Sequence, residues 1–202
     1  MVLVTGFEPF GGDSFNPSAE IALALNGRQV AGQIVRGVVL PCIFGQALVE
    51  LRRALRRERP VLVICLGLAG GRNCLSLERV AINVNDARIP DNAGAVPVDE
   101  AIVAKGPVAY WSTLPIKAIR AVWEEAGVPV EISQTAGTFV CNHVFYGLMR
   151  SLARSGGRGG FVHVPPPGPG FGLGEMVRAL EMAIEVSLSV AQDLRVAGGA
   201  LS

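Results

Sequence analysis

Apolar residues along the chain recur with two different periods, and the periods alternate. Short, nearly continuous apolar runs at Val2–Thr5, Val35–Leu40, Val61–Leu66, Val128–Ile132 and Phe161–Val164 read as strands. The run Val61–Leu66 is apolar at every position, the pattern of a strand covered on both faces. Between these runs the spacing switches to the helical one. A helix is expected after Asn16-Pro17-Ser18, through Ile21, Leu23 and Leu25, with Pro17 suited to the first turn. Others are expected over Ala47–Arg57 (Leu48, Leu51, Leu55), over Leu114–Ala126 before Gly127, and through Val144, Phe145, Leu148 and Leu152. The last is expected over Glu175–Val196.

Three stretches read differently. Glu78–Asp86 alternates as one strand, with Val80, Ile82, Val84 and Glu78 on the same face. Residues 95–113 look irregular, and Ser155–Gly160 looks like a flexible loop or hairpin. The tract Pro165–Gly170 can form neither helix nor sheet, so it is a semi-rigid lid or a plain connector. Strands and helices alternating over this length predict an α/β fold: one domain spanning residues 1–202, a three-layer α/β/α sandwich around a mostly parallel, twisted sheet.

Composition narrows the function classes. Half of the residues are hydrophobic, yet no apolar run reaches the roughly 18 residues of a membrane span. Strands buried on both faces, subunit interfaces, or both would absorb that content. With 18 basic and 17 acidic residues the net charge is +1, so no strong field draws nucleic acid or anionic lipid. The one basic run, Arg52, Arg53, Arg56, Arg57 and Arg59, fits a solvated helix face. Met1 to Thr5 lead straight into a strand, without the features of a signal peptide, and a cytoplasmic protein is expected. The cysteines at 42, 65, 74 and 141 have no Cys-x-x-Cys spacing and are expected as thiols, with no metal site.

The candidate chemistry centres on Gln134–His143. This stretch joins a strand to a helix and places Cys141 in or near the helix's first turn. Unpaired N–H groups and the helix dipole there favour an anion, which would lower a thiol pKa and produce a nucleophile. A small buried core residue is the competing reading. A cysteine nucleophile needs a base, and the chain has two histidines. His143 lies two residues beyond Cys141 on the same helix, so the two side chains diverge and His143 is expected to pack or cap. His163 ends a predicted strand, and either catalysis or a hydrogen-bonded core role suits it. Glu78 could orient His163, or could be half of a structural pair with an arginine. The loop Gly6–Gly12 holds Phe7 and Phe10 either near a ligand or as core plugs.

Several blocks carry a resemblance. Gly67–Arg72 with Leu75–Asn83 is similar to the glutamate signature of the pyroglutamyl peptidase I family, and Ile132–Asn142 resembles its cysteine signature. Thr5–Gly12 with Asn16-Pro17, Asp86–Asn92 and Phe161–Pro165 resemble further blocks, in the family's order and across nearly the whole chain. The resemblance implies a cysteine exopeptidase that removes an N-terminal pyroglutamyl residue from peptides. It implies a triad at Glu78, Cys141 and His163 and a pyroglutamyl pocket including Phe7, Phe10, Asn16 and Val140, with Arg88 near the reacting carbonyl. It also implies no metal or cofactor, and assembly as a homo-oligomer, commonly a tetramer. Leu68 and Val96 depart from glutamines of the family, and the tract after His163 is shorter and richer in proline. A triad acting on another small amide, and a catalytically silent binding module with a buried cysteine, are the competing functions.

Overall fold

The computed structural model describes residues 1–199; the last three positions of the expected domain lie outside it. Seven strands form the central sheet. They are β1 (Val2–Phe7), β2 (Gln29–Val30), β3 (Gln33–Leu40), β4 (Leu62–Leu68), β5 (Leu75–Glu78), β8 (Val130–Ser133) and β9 (Arg158–Val164). Their spatial order is β2-β3-β1-β4-β9-β5-β8. The pairs β3/β1, β1/β4, β4/β9 and β5/β8 are parallel, while β2/β3 and β9/β5 are antiparallel. Two further short strands, β6 (Val80–Ile82) and β7 (Ala109–Trp111), pair with each other outside the main sheet.

Strand alternation sorts the core into two layers. Val4, Ile64, Leu77 and Val162 turn to one side, against helices α1 (Pro17–Leu25), α3 (Ile116–Glu125) and α5 (Leu173–Ser189). Leu3, Val63, Cys65 and Phe161 turn to the other, against α2 (Gln46–Glu58) and α4 (Val140–Ser155). Burying both faces accounts for the unbroken apolar strands. Trp123 ties the first helical layer together, its indole N–H donating to Ala179 O at 2.7 Å. The result is the expected single-domain α/β/α sandwich with a mixed, mainly parallel sheet. Among the described residues no helix is long and apolar enough to cross a membrane. Arg52, Arg53, Arg56 and Arg57 do form a solvated face of α2, with Arg53 paired to Glu50 at 2.9 Å.

Four readings need correction. The expected strand over Glu78–Asp86 is two strands broken at Arg79, whose N–H donates to Ser133 O and whose carbonyl accepts from Ser112 N–H. Past that break the chain leaves the main sheet, so Val80 and Ile82 are only partly buried while Ala81 is buried. Residues 95–113 contain β7. The glycine run before Phe161 belongs to β9 rather than to a loop, because neighbours pack where side chains would be: a Cβ at Gly160 would stand 2.3 Å from Ser112 Oγ. Finally, α5 ends at Ser189, well short of Val196. Arg158 takes the carbonyls of Ser187, Val190 and Ala191. Asp193 then turns back to accept the N–H groups of Lys117 and Ala118, at the start of α3. Capping that otherwise uncapped helix competes with continuing α5.

Candidate active site

The helix α4 begins at Val140, so Cys141 is its second residue, as the sequence suggested. Its cap residue, Phe139, supplies no side-chain acceptor. The first N–H groups of a helix have no partner within it, so those around Cys141 face the space ahead of α4. The approach to this helix is fixed by Thr138, whose Oγ1 donates to Asp86 O at 2.7 Å while its carbonyl accepts Asp86 N–H at 3.0 Å.

Strand register builds the rest. Antiparallel pairing of β5 with β9 sets Ser76 opposite His163 and Glu78 opposite Phe161. All four residues therefore lie on the α4 face of the sheet, the face opposite Leu75 and Leu77. Glu78 and His163 are diagonal neighbours across this pair, and His163 Nδ1 lies 2.7 Å from Glu78 Oε1. Both are buried, Glu78 fully. Parallel pairing of β4 with β9 puts Gly67 opposite His163.

Gly67 admits the sulfur. A Cβ at this position would stand 2.7 Å from Cys141 Sγ and 2.8 Å from the Phe161 ring. The thiol thus rests against β4, the strand paired with the one that carries His163. Phe161 lies tilted beside the imidazole with ring centres 4.9 Å apart. Cys141 is partly buried, while Cys42 and Cys65 are fully enclosed.

This packing works against the lowering that the helix start alone would give the thiol. Burial pushes the Cys141 thiol up from its ordinary range, and Cys42, Glu78 and Cys65 push the same way; Arg72 opposes them. At this helix end the sulfur is packed against Gly67 and Phe161, and that desolvation works against the favourable helix terminus. Burial also raises Cys42 and Cys65 to about 12.

His143 has the packing and capping role expected of it. Its Nε2 accepts Gly45 N–H at 3.0 Å, at the start of α2, and its Nδ1 lies 3.0 Å from Asn85 Oδ1. Desolvation, then the charge of Arg52, lowers its pKa to about 4. The adjacent Asn142 clamps β6, accepting Ile82 N–H and donating to the carbonyls of Ile82 and Val84.

The expected pocket residues divide into two groups. Phe7 is buried and packs on Phe161, ring centres 6.5 Å apart, as a core plug. Val140 is also buried. Asn16 caps α1, its Oδ1 accepting Ser18 N–H and Oγ–H while its Nδ2 donates to Glu8 O. Phe10 is only partly buried and leans on Phe139 at 6.0 Å. Arg88 is exposed and, with Ile89 and Phe139, lines a cleft of about 370 Å³. Leu68 is partly buried in a separate cleft with Phe15 and Pro166, and Val96 is exposed.

Three residues at this site were missed in the sequence. Arg72 donates to Glu78 Oε1 at 2.7 Å, so the carboxylate has both an arginine and a histidine as partners. Gly67 carried a usable signal, since a glycine inside an apolar strand marks close approach. Phe139 sits between Phe10 and Phe44, a grouping made by distant loops.

Comparison with known proteins places the chain. The pyroglutamyl peptidase family profile matches residues 1–190. A pyrrolidone-carboxylate peptidase of Chromobacterium violaceum is 52% identical over 209 residues, covering 99% of this chain and 98% of the relative. One from Erwinia tasmaniensis is 51% identical over 208 residues, covering 98% of each. The crystal structure of pyroglutamyl peptidase I from Bacillus amyloliquefaciens superimposes with a TM-score of 0.94 at 43% identity, covering 97% of this chain and 98% of that one. Pyrrolidone carboxyl peptidase from Thermococcus litoralis gives 0.93 at 38%, with the same coverage. The chain therefore belongs to the pyroglutamyl peptidase family, and it is a cysteine peptidase.

Proposed function

We propose that this enzyme hydrolyses the amide bond after an N-terminal pyroglutamyl residue through Cys141, His163 and Glu78, by way of an acyl-enzyme. The observation that carries this reading is the convergence of the Glu78–His163 pair and the Cys141 sulfur on neighbouring strands. With the thiol held up by burial, its ionisation is coupled to the base. The Cys141 S–H proton passes to His163 Nε2 as sulfur attacks the pyroglutamyl carbonyl. Glu78, on Nδ1, fixes the tautomer and stabilises the imidazolium. The tetrahedral oxyanion is met by the Cys141 backbone N–H with help from Arg88. When the C–N bond breaks, imidazolium gives its proton to the leaving amine. His163 then takes a proton from water, which attacks the thioester and returns the thiol.

Pyroglutamate is a flat, uncharged lactam. Partly exposed Phe10 with Phe139 supplies aromatic walls for it, while buried Phe7, Asn16 and Val140 shape the floor behind them. Groups that pair with the lactam N–H and C=O would reject proline, and such sites discriminate by about four orders of magnitude. The reading extends to a cytoplasmic homo-oligomer that needs no cofactor. Strong exposure of Val108 (86%) and Trp111 (68%) supports self-association.

The test is turnover of a pyroglutamyl-linked chromogenic amide beside prolyl and glutamyl controls. Only the first is expected to react. Cys141→Ala is expected to be inactive, Cys141→Ser nearly so, and Glu78→Gln to keep a measurable fraction. Full activity in Cys141→Ser would falsify the assignment.

A further inference from the structure

Glu78 is an unusually one-sided carboxylate. Oε1 receives both His163 Nδ1 and Arg72 Nη1 at 2.7 Å, whereas Oε2 is buried without a hydrogen-bond partner among the described residues. A carboxylate held by the imidazole alone could turn and exchange its oxygens; a second donor on the same oxygen removes that freedom. The guanidinium does more than hold Glu78. Its other arm, Nη2, donates to Ser133 Oγ at 3.2 Å and Thr135 O at 3.1 Å, at the head of the loop leading to Cys141. One planar fork therefore joins the end of β5 to the approach of α4.

We propose that Arg72 is a positioning residue of the active site: it sets the Glu78 carboxylate against His163, anchors the 133–135 loop that delivers Cys141, and supplies the positive charge that offsets Glu78. This rests on the triad proposed above. The charged and titratable groups around the reacting pair are Glu78 at the end of β5, Glu131 on β8 (3.6 Å from Arg72), Arg72 itself, and the thiols Cys42 and Cys65. Arg72 is the cation bonded to Glu78, while the exposed Arg88 of the oxyanion proposal is present in wild type and both variants alike. Removing Arg72 favours the protonated form of every acid nearby, thiol and imidazolium alike, so both limbs of the activity profile should move to higher pH. An arginine that merely braces the fold would lower the whole curve without moving its limbs.

The experiment compares Arg72→Gln and Arg72→Lys in the full chain. It uses pH profiles of kcat/KM on the pyroglutamyl amide and pH profiles of Cys141 alkylation by iodoacetamide, followed on the Cys141 peptide by mass spectrometry. Arg72→Gln is expected to lose roughly 10- to 100-fold in kcat/KM, the effect of one charge-assisted hydrogen bond. Its turnover limbs and its alkylation midpoint should shift upward together. Arg72→Lys keeps the charge but not the fork, so its limbs should stay in place while kcat falls and KM changes little. Unmoved limbs in Arg72→Gln, shifted limbs in Arg72→Lys, or wild-type rates in either variant would overturn the proposal. If Arg72→Gln does not fold, Arg72→Met, uncharged and of similar length, takes its place and is read by the same limbs. Alkylation reads the charge effect without turnover, so failure of the peptidase reading would show separately, as a wild type inactive on the pyroglutamyl amide.

Discussion

The two histidines lie on different elements, His143 on α4 two residues past Cys141 and His163 on β9, and make nearly opposite uses of the same ring. Both are buried, and both have a side-chain oxygen near Nδ1. For His143 that oxygen is the amide of Asn85, and its Nε2 is already engaged by Gly45 N–H. Such a ring has one stable state: Nδ1 donates, Nε2 accepts, and adding a proton would set two N–H groups facing each other. For His163 the oxygen belongs to the Glu78 carboxylate, and the Gly67 strand beside it carries the Cys141 sulfur. A histidine becomes a base when its partners stabilise the charged state and leave one nitrogen for the substrate. Proximity to the cysteine in sequence decides nothing.

Exchanging the two rings for alanine is the hardest blow to that distinction. His163→Ala should lower kcat by roughly 10³-fold or more, since the proposed general base and general acid are both lost. His143→Ala should leave kcat of the folded protein within a few-fold, while losing about 1–3 kcal/mol of stability from the orphaned Gly45 N–H and Asn85 amide. Steady-state kinetics and a denaturant titration on the same preparations measure both. A His143 variant that is fully folded yet inactive would place the base on the wrong ring.

A milder challenge leaves both rings intact and moves the sulfur. In Gly67→Ala the new methyl would overlap Cys141 Sγ and the Phe161 ring. One of them must shift by an ångström or so, and misplacement of that size costs on the order of 10²-fold in rate. The loss should fall on kcat rather than KM, because Phe10 and Phe139 stand apart from Gly67. Unchanged kcat would mean that the sulfur does not react from its seat on β4.

How much of this was legible in the sequence follows from the range of the interactions involved. Helix α1 announced itself through Asn16 and Pro17, and β4 through its unbroken apolar run, because both signals are local. That Cys141 lies in or near the first turn of α4 was legible for the same reason. Elimination between two histidines singled out His163, which the structure sets beside Glu78. Glu78 was singled out by an incorrect route: it does not share a face with Val80 and Ile82, since the chain turns out of the sheet at Arg79. Its burial comes instead from pairing with β9. Arg72, Gly67 and Phe139 gain their meaning only from strands and loops that meet in three dimensions. The end of α5 was equally opaque, because it depends on Asp193 capping a helix some 75 positions earlier. The raised Cys141 thiol belongs here too. A helix start is readable from sequence, but the desolvation that overrides it depends on what packs against the sulfur.

The smallest effect on activity, and the cleanest on stability, concerns the charge state of His143. Its pKa is depressed from 6.5 to about 4 in the folded protein, so between those values the unfolded chain binds more protons than the native one. Stability therefore rises with pH across that window. The contribution is complete above pH 6.5 and disappears as the pH falls toward 4. A depression of that size corresponds to about 3 kcal/mol at most. In His143→Gln the side-chain amide cannot titrate, and this part of the slope should vanish. Urea titrations of wild type and variant at intervals from pH 7 to pH 4 would measure it, their stabilities converging as the pH drops. Peptidase activity near neutrality should hardly notice, because the ring nitrogens of His143 face Gly45 and Asn85. Parallel stability curves for the two proteins would mean that His143 takes up its proton without disturbing Gly45 and Asn85, and the contrast between the rings would then rest on geometry alone.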